Sequence, residues 1–270
     1  VNGQKIQLIT SSEGLSVPTN IVTDSTGHVS VPLTTVKAGE YTVTARVTDG
    51  SHSVESGSVK LTFVPDVASA ELTMSVSKQE IVADGSENAT VNIQLVDANN
   101  NAFTGEVDLT ITPSTGASLT SSNLQLDAHG QATTQFTASK SGQYTIQAEY
   151  VLDGKRITAS QNIDAVTDVK GAVLEITSSA SSAVVSDTNN LVFTLLLKAL
   201  SGRALNVKTS GPSKYGALVV DKTTVTTDEN GQATVSVHGR TVGSYKLTAT
   251  LNELGSDVSA VKSFSLYADD

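Results

Sequence analysis

The stretch DENGQATVSVHGRTVGSYKLTAT, Asp228–Thr250, has a skeleton that occurs at two earlier places: DSTGHVSVPLTTVKAGEYTVTAR from Asp24 and DAHGQATTQFTASKSGQYTIQAE from Asp127. Gly27, Gly130 and Gly231 fix the copies at intervals of about 100 residues, the size of a domain rather than of a solenoid repeat. In each copy an aspartate stands three positions before the glycine: Asp24, Asp127, Asp228. A tyrosine follows the glycine by fourteen (Tyr41, Tyr144, Tyr245), a second glycine precedes it by two (Gly39, Gly142, Gly243), and an alanine follows it by four (Ala45, Ala148, Ala249). Ile21, Leu124 and Val225 stand three positions before the aspartates.

Each part has a physical reading. Asp-x-x-Gly makes a turn, because the carboxylate accepts a nearby peptide N–H and glycine tolerates positive φ. The segment after it alternates: Val29, Val31 and Leu33, then Ala132, Thr134 and Phe136, then Ala233, Val235 and Val237. The tyrosine segments alternate as well, through Tyr41, Val43, Ala45 and Val47; Tyr144, Ile146, Ala148 and Tyr150; and Tyr245, Leu247, Ala249 and Leu251. Period two with polar partners predicts half-buried antiparallel strands. The second glycine and the tyrosine match the strand start of immunoglobulin-like sandwiches, where a tyrosine hydroxyl bonds back to a corner. Val43, Ile146 and Leu247 then take the interior place that antibody domains give to cysteine.

The front halves match only in the second and third copies, from Ala70 and from Ala172. In the second copy the expected strands are Leu72–Val76, Ala89–Val96, Glu106–Ile111, Leu119–Leu126, Gln131–Ala138, Gln143–Leu152 and Lys155–Ile163, the pattern of a sandwich. VNGQKIQLIT at the start corresponds to AFTGEVDLTI, Ala102–Ile111, so the first copy lacks two strands. A cut inside a domain is expected there, from processing or excision, with the remaining strands standing alone or covered by a neighbour. The expected architecture is all-β: tandem immunoglobulin-like β-sandwiches in an elongated rod, with a partial unit at 1–65 and whole units at 70–165 and 171–268. The linkers VPDVAS and AVTDVK are short and not Gly/Ser-rich, and strands of about ten residues make each unit on the order of 35 Å long.

The string Thr227-Asp228-Glu229-Asn230-Gly231-Gln232-Ala233-Thr234-Val235, with Gly243 and Tyr245 downstream, resembles the group 1 bacterial Ig-like repeats of the intimin and invasin adhesins. Ala83-Asp84-Gly85 before a strand and Val96-Asp97 before an asparagine-rich turn are similar to that family too; KALSGRALN, Lys198–Asn206, departs from it, having no counterpart of Asp97. The resemblance implies a Gram-negative surface protein held in the outer membrane by a β-barrel, with a row of Ig-like domains projecting outward. It implies a stalk or passenger segment on the extracellular side of the outer membrane. The alternative is that these domains themselves bind a host-cell or extracellular-matrix ligand. A further alternative is an accessory domain of a secreted hydrolase. The family's motifs mark scaffold positions and no receptor residues.

Composition agrees with that reading. Lys plus Arg total 17 against 27 Asp plus Glu, a formal charge of −10, and no basic patch interleaved with aromatics is present, so nucleic acid is excluded as a partner. Cysteine and tryptophan are absent and aromatics are 4%, which disfavours disulfides, thiolate chemistry and sugar-stacking surfaces. The apolar run Leu191–Leu200 contains Lys198 and is too short for a membrane span. No phosphate loop, dinucleotide fingerprint, nucleophile elbow or HExxH motif occurs, and no catalytic residue, cofactor or metal is expected. His28, His52, His129 and His238 are scattered and read as exposed turn residues, a ligand pair between copies being the lesser alternative. The recurring acids Asp24, Asp127 and Asp228, and Asp66, Asp168 and Asp187, read as turn caps. An interdomain ion site is the lesser alternative, because calcium needs about six to eight oxygens and no EF-hand loop surrounds them. The chain is expected as a monomer whose partners are its own neighbouring domains and a host surface or matrix protein.

Overall fold

Segments rich in valine, threonine and serine that alternate apolar and polar residues gain most by pairing into sheets with one face covered. The computed structural model describes residues 1–212 and 218–269, and its only helical element among them is a 3-10 turn at Val67–Ser69. All else is strand, turn and short loop: a single-sheet unit followed by two tandem immunoglobulin-like sandwiches.

The first unit contains β1 (Lys5–Thr10), β2 (Ile21–Val22), β3 (Gly39–Asp49), β4 (His52–Glu55) and β5 (Val59–Phe63). They form one sheet with β3 at its centre, β1 and then β2 on one side, and β4 and β5 on the other. The second unit runs through β6 (Glu71–Val76), β7 (Glu80–Val82), β8 (Asn88–Val96), β9 (Gly105–Thr112), β10 (Ala117–Leu119), β11 (Asn123–Leu126), β12 (Gln131–Ala138), β13 (Gly142–Leu152) and β14 (Lys155–Val166). Its sheets are β10-β12-β8-β6 and β11-β9-β13-β14-β7. The third unit has β15 (Val173–Ser178), β16 (Ser182–Val184), β17 (Ser186–Lys198), β18 (Ala204–Ser210), β19 (Val219–Val220), β20 (Thr224–Thr226), β21 (Gln232–Gly239), β22 (Gly243–Leu251) and β23 (Ser259–Tyr267). Its sheets, β19-β21-β17-β15 and β20-β18-β22-β23-β16, repeat the order of the second unit strand for strand. Pairing is antiparallel except for β7 on β14 and β16 on β23, which are parallel.

The inner faces of each sheet pair meet in a core of their own. One cluster joins Val91, Leu95 and Phe136 of one sheet to Val107, Ile146 and Ile163 of the other. The second joins Phe193, Leu195 and Val235 to Leu205, Leu247 and Phe264. Each such side chain, fully removed from water, contributes roughly 1.5–3 kcal/mol. In the first unit only Ile21, Tyr41 and Val43 are buried apolar residues, since one sheet alone encloses little.

Four expectations are corrected. The run Leu119–Leu126 is not one strand. It breaks at Ser121-Ser122 into β10 and β11, which lie in opposite sheets, and Thr134 Oγ1 holds the crossing by bonds to both the N–H and the carbonyl of Ser121. β7 is an unexpected strand; three residues are too few for alternation to register. β14 continues to Val166, beyond Ile163. Val29–Leu33 alternates but forms no strand. Its counterparts β12 and β21 hydrogen-bond to β8 and β17, and among the described residues of the first unit no strand stands in that place.

The turn glycines set how closely each turn packs. Gly130 (φ +70°) and Gly231 (φ +76°) accept the N–H of Leu95 and Leu197, and a Cβ on either would fall inside contact distance of the same leucine's carbonyl oxygen. Gly154 (φ +80°) has open space around it. Replacing Gly154 with alanine is expected to cost only the left-handed backbone, about 1–2 kcal/mol. Gly130→Ala and Gly231→Ala are expected to cost clearly more, read from urea unfolding midpoints.

Candidate functional site

The repeat skeleton builds the same two devices three times. In the turn, Asp24 Oδ1 accepts the N–H groups of Thr26 (2.8 Å) and His28 (3.0 Å). Asp127 Oδ1 accepts those of His129 and Gln131 (2.8 Å each), and Asp228 Oδ1 those of Asn230 and Gln232 (2.9 Å each). Gly27, Gly130 and Gly231 each return an N–H to the aspartate carbonyl at 3.0 Å. Hydrogen bonds to the ionised form favour it. The Thr26 hydroxyl and the N–H groups of His28 and Thr26 hold Asp24 below the usual carboxylate range, and those of Gln131 and His129 do so for Asp127.

The second device is a corner. Gly39, Gly142 and Gly243 are the first residues of β3, β13 and β22. Two residues on, the tyrosine hydroxyl donates to the carbonyl four positions back: Tyr41 to Lys37 (3.0 Å), Tyr144 to Lys140 (2.9 Å) and Tyr245 to Thr241 (2.7 Å). Each ring packs on a phenylalanine, at 5.6 Å from Phe63, 5.7 Å from Phe136 and 5.6 Å from Phe264. Burial raises the Tyr144 phenol above its ordinary pKa, so it stays a donor. Val43, Ile146 and Leu247 are buried two residues further on; Ala148 and Ala249 are fully buried, whereas Ala45 is half-exposed.

The corners are where the next unit attaches. At the first joint the Asn101 carboxamide accepts the N–H of Ala38 (2.8 Å) and donates to the carbonyl of Val36 (2.9 Å), on either side of Lys37. Asp97 aims that carboxamide, taking Asn101 Nδ2 at 2.8 Å and the Asn101 N–H at 2.9 Å. It also accepts the N–H of Asn99 (2.8 Å) and, from the linker, that of Asp66 (2.9 Å). Burial pushes the Asp97 carboxyl up, but the bonds from Asp66, Asn101 and Asn99 outweigh it and hold the pKa at about 2. Asp66 in turn caps the 3-10 turn through Ala68 N–H and the Ser69 hydroxyl, and the Lys155 ammonium donates to the carbonyls of Val67 and Ala68. An open groove of about 670 Å³ runs beside this joint, past Asn100, Asn101 and His129.

At the second joint the chemistry changes while the docking point does not. Ser141 holds the corner position of Ala38, and its hydroxyl donates to Glu253 Oε2 (3.3 Å). The Thr167 hydroxyl of the linker reaches the same oxygen at 2.5 Å, Arg203 Nη1 lies 3.1 Å from Oε1, and the Thr167 N–H bonds to the Leu254 carbonyl at 3.1 Å. Glu253 is 12% exposed in its side chain. Ala199, at φ +66°, stands where Asp97 does in the second unit, so the acid comes instead from the β22–β23 turn. Asn101, Ser141, Thr167, Arg203 and Glu253 were not singled out by sequence. Only the linker carried a signal, and it reaches Thr167 alone: an aspartate recurs in Val64-Pro65-Asp66, Val166-Thr167-Asp168 and Tyr267-Ala268-Asp269 at the ends of the tyrosine units.

The histidines stay apart. His28 is exposed, its Nδ1 3.0 Å from Thr26 Oγ1, but two of the four are not turn residues: His52 begins β4, and His238 is half-buried within β21 with its Nδ1 2.8 Å from Asn190 Oδ1. Among the described residues no three His, Asp or Glu side chains are grouped as metal ligands, and no helix is long and apolar enough to cross a membrane. Asp187 pairs with Arg240, whose guanidinium holds it below the usual carboxylate range.

Residues 71–166 match the family model of the bacterial Ig-like domain (group 1). The chain is 27% identical over 278 aligned residues to the inverse autotransporter adhesin YeeJ of Escherichia coli (strain K12), covering 97% of this chain and 11% of that protein. It is 26% identical over 147 residues to intimin of Citrobacter freundii, covering 53% of this chain and 15% of that one. It therefore spans only a small part of the length of either relative. The structure of the Yersinia pseudotuberculosis adhesin InvE aligns with a TM-score of 0.51 at 20% identity, over 76% of this chain and 60% of that one, which is a likeness of fold.

Asp97 has a depressed folded-state pKa, so its contribution is complete above the unfolded value near about 3.9 and disappears as pH falls through about 2. Asp97→Asn is expected to lose roughly 1–3 kcal/mol at pH 7, with the gap to the parent closing between about pH 4 and pH 2, followed by urea unfolding. Tyr144→Phe, which removes one hydroxyl bond, is expected to cost about 1 kcal/mol at either pH.

Proposed function

We propose that this chain, an intimin- and invasin-like sequence whose residues 71–166 are a group 1 bacterial Ig-like domain, is a stalk segment of a bacterial surface adhesin. In this reading its units, taken at 1–65, 70–165 and 171–268, stand outside the outer membrane and carry adhesive regions of the parent protein toward host cells or matrix. The similarity to an adhesin over 97% of the chain supports the general role.

The observation that carries the stalk reading is the use made of the repeat. Asp24, Asp127 and Asp228 spend their carboxylate on their own turns, and the three tyrosine hydroxyls are spent on their own corners. The polar side chains at both joints bind the neighbouring unit or its linker. These side chains are committed to holding the chain's own geometry, which is the work of a spacer.

The test is binding of the chain, as a monomer, to host cells and immobilised matrix proteins, alongside small-angle scattering. No saturable binding and an elongated scattering profile are expected. Saturable binding abolished by point changes on one unit would replace the spacer reading with direct ligand recognition by these domains, and a compact profile would overturn it as well.

A further inference from the structure

We propose that the third unit's corner, around Val242, is a docking surface for another Ig-like unit joined after Tyr267, and that it selects a carboxamide loop of the Asp97–Asn101 kind over a carboxylate of the Glu253 kind. The proposal rests on the reading of the chain as tandem stalk units.

The residue three positions before the corner tyrosine is Ala38 in the first unit, Ser141 in the second and Val242 in the third. The following unit holds the first two, through Asn101 and Glu253 respectively. Val242 is in the same place beside a closed corner, with the Tyr245 hydroxyl on the Thr241 carbonyl, yet it is 53% exposed and its N–H has no hydrogen-bond partner among the described residues. The strand that leads away from the corner is in register as well. Gly39 faces Phe63, Gly142 faces Ala165 and Gly243 faces Leu266, so Tyr267-Ala268-Asp269 corresponds to Val64-Pro65-Asp66 and to Val166-Thr167-Asp168. Tyr267 is 49% exposed. Asp269 has the position of Asp66, whose N–H goes to Asp97 and whose carboxylate caps the 3-10 turn of the next unit.

Selectivity follows from the side chain at the corner. Glu253 is met at Ser141 by a hydroxyl, which donates to the carboxylate. Ala38 offers no side-chain donor, and the first joint uses peptide groups instead: the Asn101 carboxamide takes an N–H with its oxygen and gives an N–H to a carbonyl. Val242 is apolar like Ala38. A carboxylate could accept its N–H but could give nothing to the neighbouring carbonyl, and would be desolvated with one fewer donor than it has at Ser141. A carboxamide satisfies both peptide groups.

The experiment extends the chain. Residues 1–267 are continued directly with residues 65–166, so that Pro65 follows Tyr267, and amide hydrogen exchange is followed at Val242. Exchange at Val242 is expected to slow by about tenfold relative to the parent chain, the scale of one net hydrogen bond. Asn101→Ala in the appended unit is expected to restore the parent rate while the β13 amides of that unit remain protected, which establishes that it is folded. A second extension, with residues 167–269 after Tyr267, is expected to leave Val242 at the parent rate. Unchanged exchange with a folded 65–166 extension, or equal protection by both extensions, overturns the proposal. Neither outcome depends on whether the chain binds host cells, so failure here and failure of the stalk reading are separate results.

Discussion

A hydroxyl from tyrosine bonded to a carbonyl four residues earlier is the constraint on which the molecule depends. It fixes the path of the chain at the corner, and so it fixes where the peptide groups of Val36 and Ala38 and the side chain of Ser141 point. Those are the groups to which the following unit attaches. The hydroxyl bond itself is worth about 1 kcal/mol; its larger effect is geometric, since the docking bonds at Asn101 and Glu253 are made to the corner it closes. The tyrosine thus couples the interior of one sandwich to the orientation of its neighbour.

The two joints solve one problem with different chemistry. In the first, a buried carboxylate never touches the preceding unit; it gathers N–H groups from its own loop and from the linker and thereby aims an amide. In the second, the carboxylate makes the contact itself and is balanced by Arg203. Both place an acid against donors that come from more than one segment of chain, and in both the linker belongs physically to the unit that follows it. Lys155 and Leu254, at the tips of equivalent hairpins, each bind the linker that leads into their own unit.

What could be read from the sequence was whatever closes over a few residues. Asp228 caps Asn230 and Gln232, Gly231 needs its left-handed backbone, and Tyr245 bonds to Thr241; all of this lies within one short stretch, repeated three times, and it carried the sandwich fold with it. The joints lay beyond reach because Asn101 and Ala38 are 63 residues apart and nothing distinguishes Asn101 from Asn99 and Asn100 except the partner it meets. Alternation also misled where its partner was a matter of tertiary structure. Leu119–Leu126 alternates straight through the point where it changes sheets, and Val29–Leu33 has the side chains of a strand with no ladder to join. Period two records a willingness to pair, and the pairing itself is decided by what lies alongside.

The parallel strands β7 and β14 have a consequence for how a unit answers tension. β7 lies near the start of the second unit and β14 at its end, and Glu80, Ile81 and Val82 run beside Asp164, Ala165 and Val166 in the same direction. Drawing the two ends of the unit apart slides these strands lengthwise past each other, so their ladder is loaded in shear and its bonds share the strain instead of peeling open in turn. β16 on β23 repeats the arrangement in the third unit. Two three-residue strands too small to notice in the sequence, β7 and β16, therefore join the start of each whole unit to its end through a ladder that lengthwise pull loads in shear.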